Sequence, residues 1–157
     1  MIRPRFVIII WFVFLLIGCS SFTPENTSAE NSCLRTEPMW LKPPEDAAVP
    51  HPPTYGYYFV NEDQSIWASA WQAKDEENPF RAGEEGNKVG WFRPAGAELE
   101  ITGRRLDAEA PPLEAEAGCC YPTRFQASGV YFPTEGCWEV NAQANDRKLS
   151  FVIWVEP

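Results

Sequence analysis

The stretch "FPTEGCWEVNAQANDRKLSFVIWV", residues 132–155, decides the fold. In "GCWEVNAQ", Trp138, Val140 and Ala142 share one side, and Glu139, Asn141 and Gln143 share the other. A strict period of two is the mark of a half-buried strand. "ANDR" (144–147) then holds Asn145-Asp146, residues that tolerate the positive φ of a tight two-residue turn. In "KLSFVIWV", Leu149, Phe151, Ile153 and Val155 point one way, and Ser150, Val152 and Trp154 the other. The stretch predicts an antiparallel hairpin with one face in a core.

Working outward, "TRFQASGVYF" (123–132) predicts the strand before this hairpin. "AELEITGRRL" (97–106) alternates Leu99 and Ile101 inward with Glu98 and Glu100 outward. "KVGWFR" (88–93), "SIWASAW" (65–71) and "YGYYFV" (55–60) predict three more strands, with Trp67 and Trp71 on one face of theirs. Residues 61–64 read as a turn, residues 72–87 as a polar loop, and residues 107–122 as an acidic, proline-containing connection. Pro38 to Tyr55 carries six prolines, which fix φ and remove amide donors, so it reads as an extended segment along a domain edge. About seven short strands at regular spacing, with no helical period among them, predict an all-β sandwich.

The N-terminus has a different character. Arg3 and Arg5 precede an uncharged apolar run from Phe6 to Ile17. The run is too short for an ordinary membrane span of about 20 residues and has the size and flanks of a secretory signal. It ends in Leu16-Ile17-Gly18-Cys19, which resembles the lipobox of bacterial lipoproteins. The resemblance implies cleavage between Gly18 and Cys19, a diacylglycerol on the Cys19 thiol through a thioether, and acyl chains that tie the protein to a bilayer. Residues 1–18 are then the signal. Residues 19–32, rich in Ser, Thr, Asn and Glu, form a flexible tether, and 33–157 form one domain. The resulting location is extracytoplasmic, on a bacterial cell membrane or outer membrane.

Removing residues 1–18 takes two arginines and no acid from 13 basic and 22 acidic residues, leaving a net charge near −11. That balance argues against nucleic acid as a partner. Export also places Cys33, Cys119, Cys120 and Cys137 where thiols oxidise. Three connectivities are open. Adjacent Cys119 and Cys120 bond each other only through a strained ring, and two cross-links among three regions are the alternative. A bond closing Cys33 to Cys137 would contribute about 4–5 kcal/mol through loop entropy.

"FPTEGCWEV" (132–140) resembles the corner leading into the penultimate strand of bacterial immunoglobulin-like domains. The resemblance implies an immunoglobulin-like β-sandwich with Gly136 in the turn and Trp138 as the buried anchor. The longer pattern of "GRRLD" (103–107) followed by "FQASGVYFPTEGCWEV" (125–140) resembles a group of small secreted bacterial proteins and lipoproteins with no assigned activity. That likeness implies pairing of Cys33 with Cys137 and leaves Cys119 and Cys120 as additions.

Residues able to do chemistry are sparse. His51, the one histidine, lies in a proline-rich segment, and no nucleophile elbow is present. Copper would need more His and Met ligands than His51 and Met39, and Cys and His lack zinc spacing. No cofactor motif is present. Asp75, Glu76, Glu77, Glu84, Glu85, Glu109, Glu114 and Glu116 sit in loop-like stretches and read as solvated charge. Arg104 and Arg105 face opposite sides of a strand and read as structural, one of them pairing with Glu98 or Glu100 or carrying an aromatic stack, with anion recognition the alternative. Cys119-Cys120 lacks the CxxC and helix setting of a redox pair. The aromatics are the richest set, and Trp67, Trp71 and Trp154 are the candidates to face a ligand. The expected function is a non-catalytic interaction module of the cell envelope that recognises protein. A glycan-binding module using surface Trp, and an enzyme or enzyme inhibitor, are the alternatives.

Overall fold

The structure, a computed structural model, describes residues 27–47 and 55–157. Residues 1–26, with Gly18 and Cys19 of the expected signal and tether, lie outside the described residues, as does His51. A short helix, α1 (Thr27–Ser32), is followed by nine strands. These are β1 (Met39–Leu41), β2 (Gly56–Val60), β3 (Trp67–Ser69), β4 (Asn87–Phe92), β5 (Leu99–Arg105), β6 (Glu114–Ala117), β7 (Phe125–Tyr131), β8 (Gly136–Ala144) and β9 (Arg147–Val155). They form two antiparallel sheets, ordered β1-β2-β3-β4-β7-β6 and β5-β8-β9. The order β3-β4-β7-β6 against β5-β8-β9 is that of a seven-strand immunoglobulin-type sandwich. Strands β1 and β2 extend the larger sheet beyond it. Between β3 and β4, Arg81 and Ala82 bridge in parallel to Glu156 and Phe132, so this segment closes one side of the sandwich.

The decisive hairpin forms in the register its pattern dictates. Ala144 faces Arg147 across the turn, and Asn145 takes φ 55°. Trp138, Val140, Ala142, Leu149, Phe151, Ile153 and Val155 are all buried. Against them the larger sheet sets Phe59, Ala68, Val89, Trp91 and Val130. Phe59 stacks on Phe151 with ring centroids 4.2 Å apart, so the two layers interlock through aromatic faces. Buried polar groups are matched: the Trp91 indole donates to Ser128 Oγ at 2.8 Å. Arg93, wholly buried, donates to Gln126 Oε1 and to the carbonyls of Pro94, Tyr121 and Thr123. Burial lowers the Arg93 pKa, and this ring of oxygens offsets the loss of water around the cation.

Three elements differ from the sequence expectation. Residues 27–32, expected to be part of a flexible tether, are helical. β1 rises out of the proline-rich segment, where Pro38 and Pro43 bound a run too short for any period to show. β6 lies within the acidic connection: its Ala115 and Ala117 pack on the core while Glu114 and Glu116 face water.

The 103–107 and 132–140 motif residues meet at one corner. Arg105 Nε donates to Asp107 Oδ1 at 2.8 Å, and Arg105 Nη1 to Thr134 Oγ1 at 3.2 Å. The Cys137 amide donates to the same Asp107 oxygen, and the Trp138 indole to the Thr134 carbonyl. Gly136 takes φ 130°, and a Cβ there would lie 2.5 Å from Arg105 Nε, so only glycine fits under the guanidinium. Arg105 thus pairs with Asp107, and Arg104 with Glu139 across the β5–β8 ladder at 2.8 Å. Neither pairs with Glu98 or Glu100, which lie on or beside the same strand and cannot reach across it.

The corner has an acid limb. The hydrogen bond from Arg105, with that from the Cys137 amide, holds the Asp107 carboxyl below its ordinary value. A depressed carboxyl stabilises the fold above its unfolded pKa, and that stabilisation disappears as pH falls through the folded value. Asp107→Asn should therefore lower the unfolding temperature at pH 7, by a difference that shrinks as pH falls from the ordinary carboxyl range of about 3.9 through the lower folded value. Melting curves across that range test this, and a constant offset between the two proteins would refute it.

Candidate functional site

The outward face of the larger sheet carries a groove of about 520 Å³. Strand pairing sets small residues along its floor: Gly56, Ser69, Gly90 and Ala127. Ser69 Oγ accepts the Gly90 amide at 2.8 Å, which ties the floor across β3 and β4. A Cβ on Gly90 would lie 3.1 Å from the Phe125 ring, so that ring already leans over it. One wall is a packed aromatic cluster in which Tyr58 and Phe92 meet edge to face at 5.8 Å, with Phe125 alongside. Burial raises the Tyr58 hydroxyl's pKa, so it stays protonated and able to donate.

The opposite wall is open. Trp40 is 57% exposed, Tyr55 50% and Trp71 46%. Trp40 stacks on Tyr55 with 14° between the planes and meets Tyr57 edge-on at 4.7 Å. Trp71 stands at the start of a 3-10 helix, Trp71–Lys74. Gln72 pins that helix by donating to the Lys88 carbonyl at 3.1 Å. Trp71 keeps the outward side shared by Trp67 and Ser69, and the turn holds it exposed at the groove. Exposed rings above a floor without bulky side chains offer flat, rigid contact area that is cheap in conformational entropy.

Of the three tryptophans proposed to face a ligand, only Trp71 is exposed, and it lines the groove. Trp67 is 4% exposed, packed under Tyr58 and Phe92, with its indole donating to the Gln64 carbonyl. Trp154 is 9% exposed and packs on the Cys33–Cys137 disulfide. Alternation does send Trp154 to the outer face of β9, but the segment held by that disulfide covers the face there. The residues missed are Trp40 and Tyr55. A usable signal existed in Gly56, Ser69, Gly90 and Ala127, which are small residues at outward positions of four neighbouring strands.

The remaining candidates stay apart. Among the described residues, no three His, Cys, Asp or Glu side chains are grouped to hold a metal ion. Asp75 accepts from the amides of Glu77 and Asn78 and from the Asn78 side chain, a local turn that lowers its pKa. Glu116 accepts from Tyr131, and Glu84, Glu85, Glu109 and Glu114 face solvent. Cys119 and Cys120 are bonded to each other at an exposed bend, whose neighbouring Tyr121 carbonyl accepts from Arg93. Compared with known protein families, curated proteins and solved structures, the chain matches none.

Proposed function

We propose that the protein is a lipid-anchored, extracytoplasmic binding module of the bacterial envelope, acting without catalysis, and that its aromatic groove takes a segment of another envelope protein. The lipobox-like Leu16-Ile17-Gly18-Cys19 supports the anchor. The groove supports the binding role, and the observation that carries it is the trio Trp40, Tyr55 and Trp71, exposed together over a floor of small residues. The groove lining is almost wholly apolar. Sugar hydroxyls need several polar partners, whereas an extended, proline-bearing polypeptide needs ring faces and few hydrogen bonds. That chemistry favours protein. Glycan binding is the second reading, favoured by the same exposed rings, which could stack on sugar faces.

One preparation tests both halves. Full-length protein recovered from membranes should have the mass of the chain from Cys19 plus acyl groups, and Cys19→Ser should yield unprocessed or released protein. Titrated with an oligoproline peptide, its tryptophan fluorescence should change saturably. Trp40→Ala and Trp71→Ala should each weaken binding at least about tenfold, with the unfolding temperature little changed. Cys19→Ser protein still processed and membrane-bound would overturn the anchor. Saturable binding of an oligosaccharide with none of the oligoproline would replace the protein ligand by a glycan.

A further inference from the structure

A second cleft, of about 640 Å³, opens between the end of β9, the chain around Arg35–Pro38 and the loop after the Trp71–Lys74 helix. β9 is an edge strand of its sheet, and its outer edge is covered at two places. At Val152, the Thr36 amide donates to the carbonyl at 2.8 Å, and Thr36 Oγ1 accepts the amide at 2.9 Å. At Glu156, the amide donates to the Phe80 carbonyl and the carbonyl accepts from Ala82, both at 2.8 Å. Alternation turns the Trp154 amide and carbonyl to this same edge, midway between the two covered positions. Its partner across the ladder, Cys137, agrees: the Cys137 amide and carbonyl are both engaged toward the β5 side, by Asp107 and Leu106. Among the described residues nothing bonds the Trp154 main chain on its outer edge.

Two residues lining the same cleft also carry buried side-chain atoms without partners. The atoms are the Trp154 indole Nε1, a donor, and Gln72 Oε1, an acceptor. Trp154 is 9% exposed and Gln72 5%. Buried polar groups without partners are few in native proteins, and each calls for an explanation, water or a bound group among them. Here one cleft holds an open main-chain donor and acceptor and an unmatched side-chain donor and acceptor. A polypeptide backbone supplies both kinds of group at the spacing of a strand, and its side chains supply more.

Charge narrows the occupant. The lining carries three cations against five carboxylates. Arg35 is paired with Glu30 and Lys74 with Glu37. Among the described residues Asp75, Glu76 and Glu156 have no ion-pair partner, against one such cation, Arg81, which donates to a Pro157 oxygen. We propose that this cleft is an edge-docking site for an extended, lysine- or arginine-bearing segment of another protein, which adds a short strand at Trp154. The site is separate from the aromatic groove and does not depend on it.

The test uses the full-length protein, isotope-labelled for NMR, and a capped heptapeptide of sequence Lys-Thr-Val-Lys-Val-Thr-Lys. The Trp154 main-chain and indole N–H signals should shift saturably. Exchange of the Trp154 amide should slow at least about tenfold on binding. The same peptide with Glu for Lys should bind at least about tenfold more weakly. Trp154→Phe should retain the fold, because it removes a donor that has no partner in the free protein, and should weaken the Lys peptide about threefold to tenfold. Trp154 signals unmoved by millimolar peptide would mean that bound water alone meets these groups, and the proposal fails. Equal binding of the Glu peptide, or shifts at Trp40 and Trp71 in place of Trp154, also overturns it, the latter by assigning the peptide to the groove.

Discussion

Replacing Cys33 and Cys137 together with alanine lowers the unfolding temperature by about 15–20 °C. The bond joins residues 104 apart, and closing a loop of that length removes about 4.7 kcal/mol of denatured-state entropy on the chain-entropy model. For a domain of this size one kcal/mol moves the midpoint by about 3–5 °C. Little else would hold the segment it ties down. Between Cys33 and β1, the described contacts to the sandwich are the Thr36–Val152 pair and the exposed Lys74–Glu37 ion pair. Exposed ion pairs contribute little. Cys119→Ser with Cys120→Ser is the control, because a bond between sequence neighbours closes almost no chain and its loss should move the midpoint by only a few degrees. Thermal unfolding followed by circular dichroism reads both. A fall under about 5 °C for the Cys33 and Cys137 variant would show that the segment docks without its covalent bond.

Trp138→Ala is expected to cost about 4–6 kcal/mol, a large share of the roughly 5–15 kcal/mol that holds an ordinary domain folded. Trp138 is wholly buried, meets Phe132 edge to face at 5.4 Å, and donates its indole N–H to the Thr134 carbonyl at 3.0 Å. The substitution opens a cavity where the sheets meet and strands that carbonyl. Trp138→Phe keeps most of the volume and loses the hydrogen bond, so its cost should be about 2 kcal/mol and remain measurable by urea unfolding. Equal losses from the two variants would place the energy in the Thr134 hydrogen bond and remove Trp138 as the packing anchor. Losses under about 1 kcal/mol for both would mean that the corner is held by Arg105 and Asp107 alone.

The parts of the fold legible in the sequence are those where period-two alternation coincides with a turn of definite chemistry. The hairpin of β8 and β9 has both, and β5 and β7 have the first. β6 has alternation too, in Glu-Ala-Glu-Ala, but alanine buries so little area that the pattern reads as a charged connection beside Pro111 and Pro112. Trp154 shows the limit of local reasoning. Its strand position sends it outward, and only the chain bonded to Cys137, from far earlier in the sequence, covers it. Trp67 and Trp71 share the outward face that their spacing gives them, but β3 stops at Ser69, so Trp67 is buried in the aromatic cluster on that face whereas Trp71, on the turn that follows, stays exposed beside the groove. The groove needs Trp40, Tyr55 and Trp71 from separate elements, and that convergence is a tertiary fact with no single stretch of sequence to announce it.

The disulfide to Cys137 also sets a mechanical path. A pull on the chain ahead of Cys33 passes through the sulfurs into β8, the central strand of its sheet, with β5 and β9 hydrogen-bonded on either flank. Extracting β8 means shearing two ladders at once, whereas peeling β1 would break one short ladder. Trp40, Tyr55 and Trp71 all lie on the far side of Cys33 along the chain and are bypassed by that tension. Strain delivered from the N-terminal end therefore leaves the aromatic groove in its resting geometry.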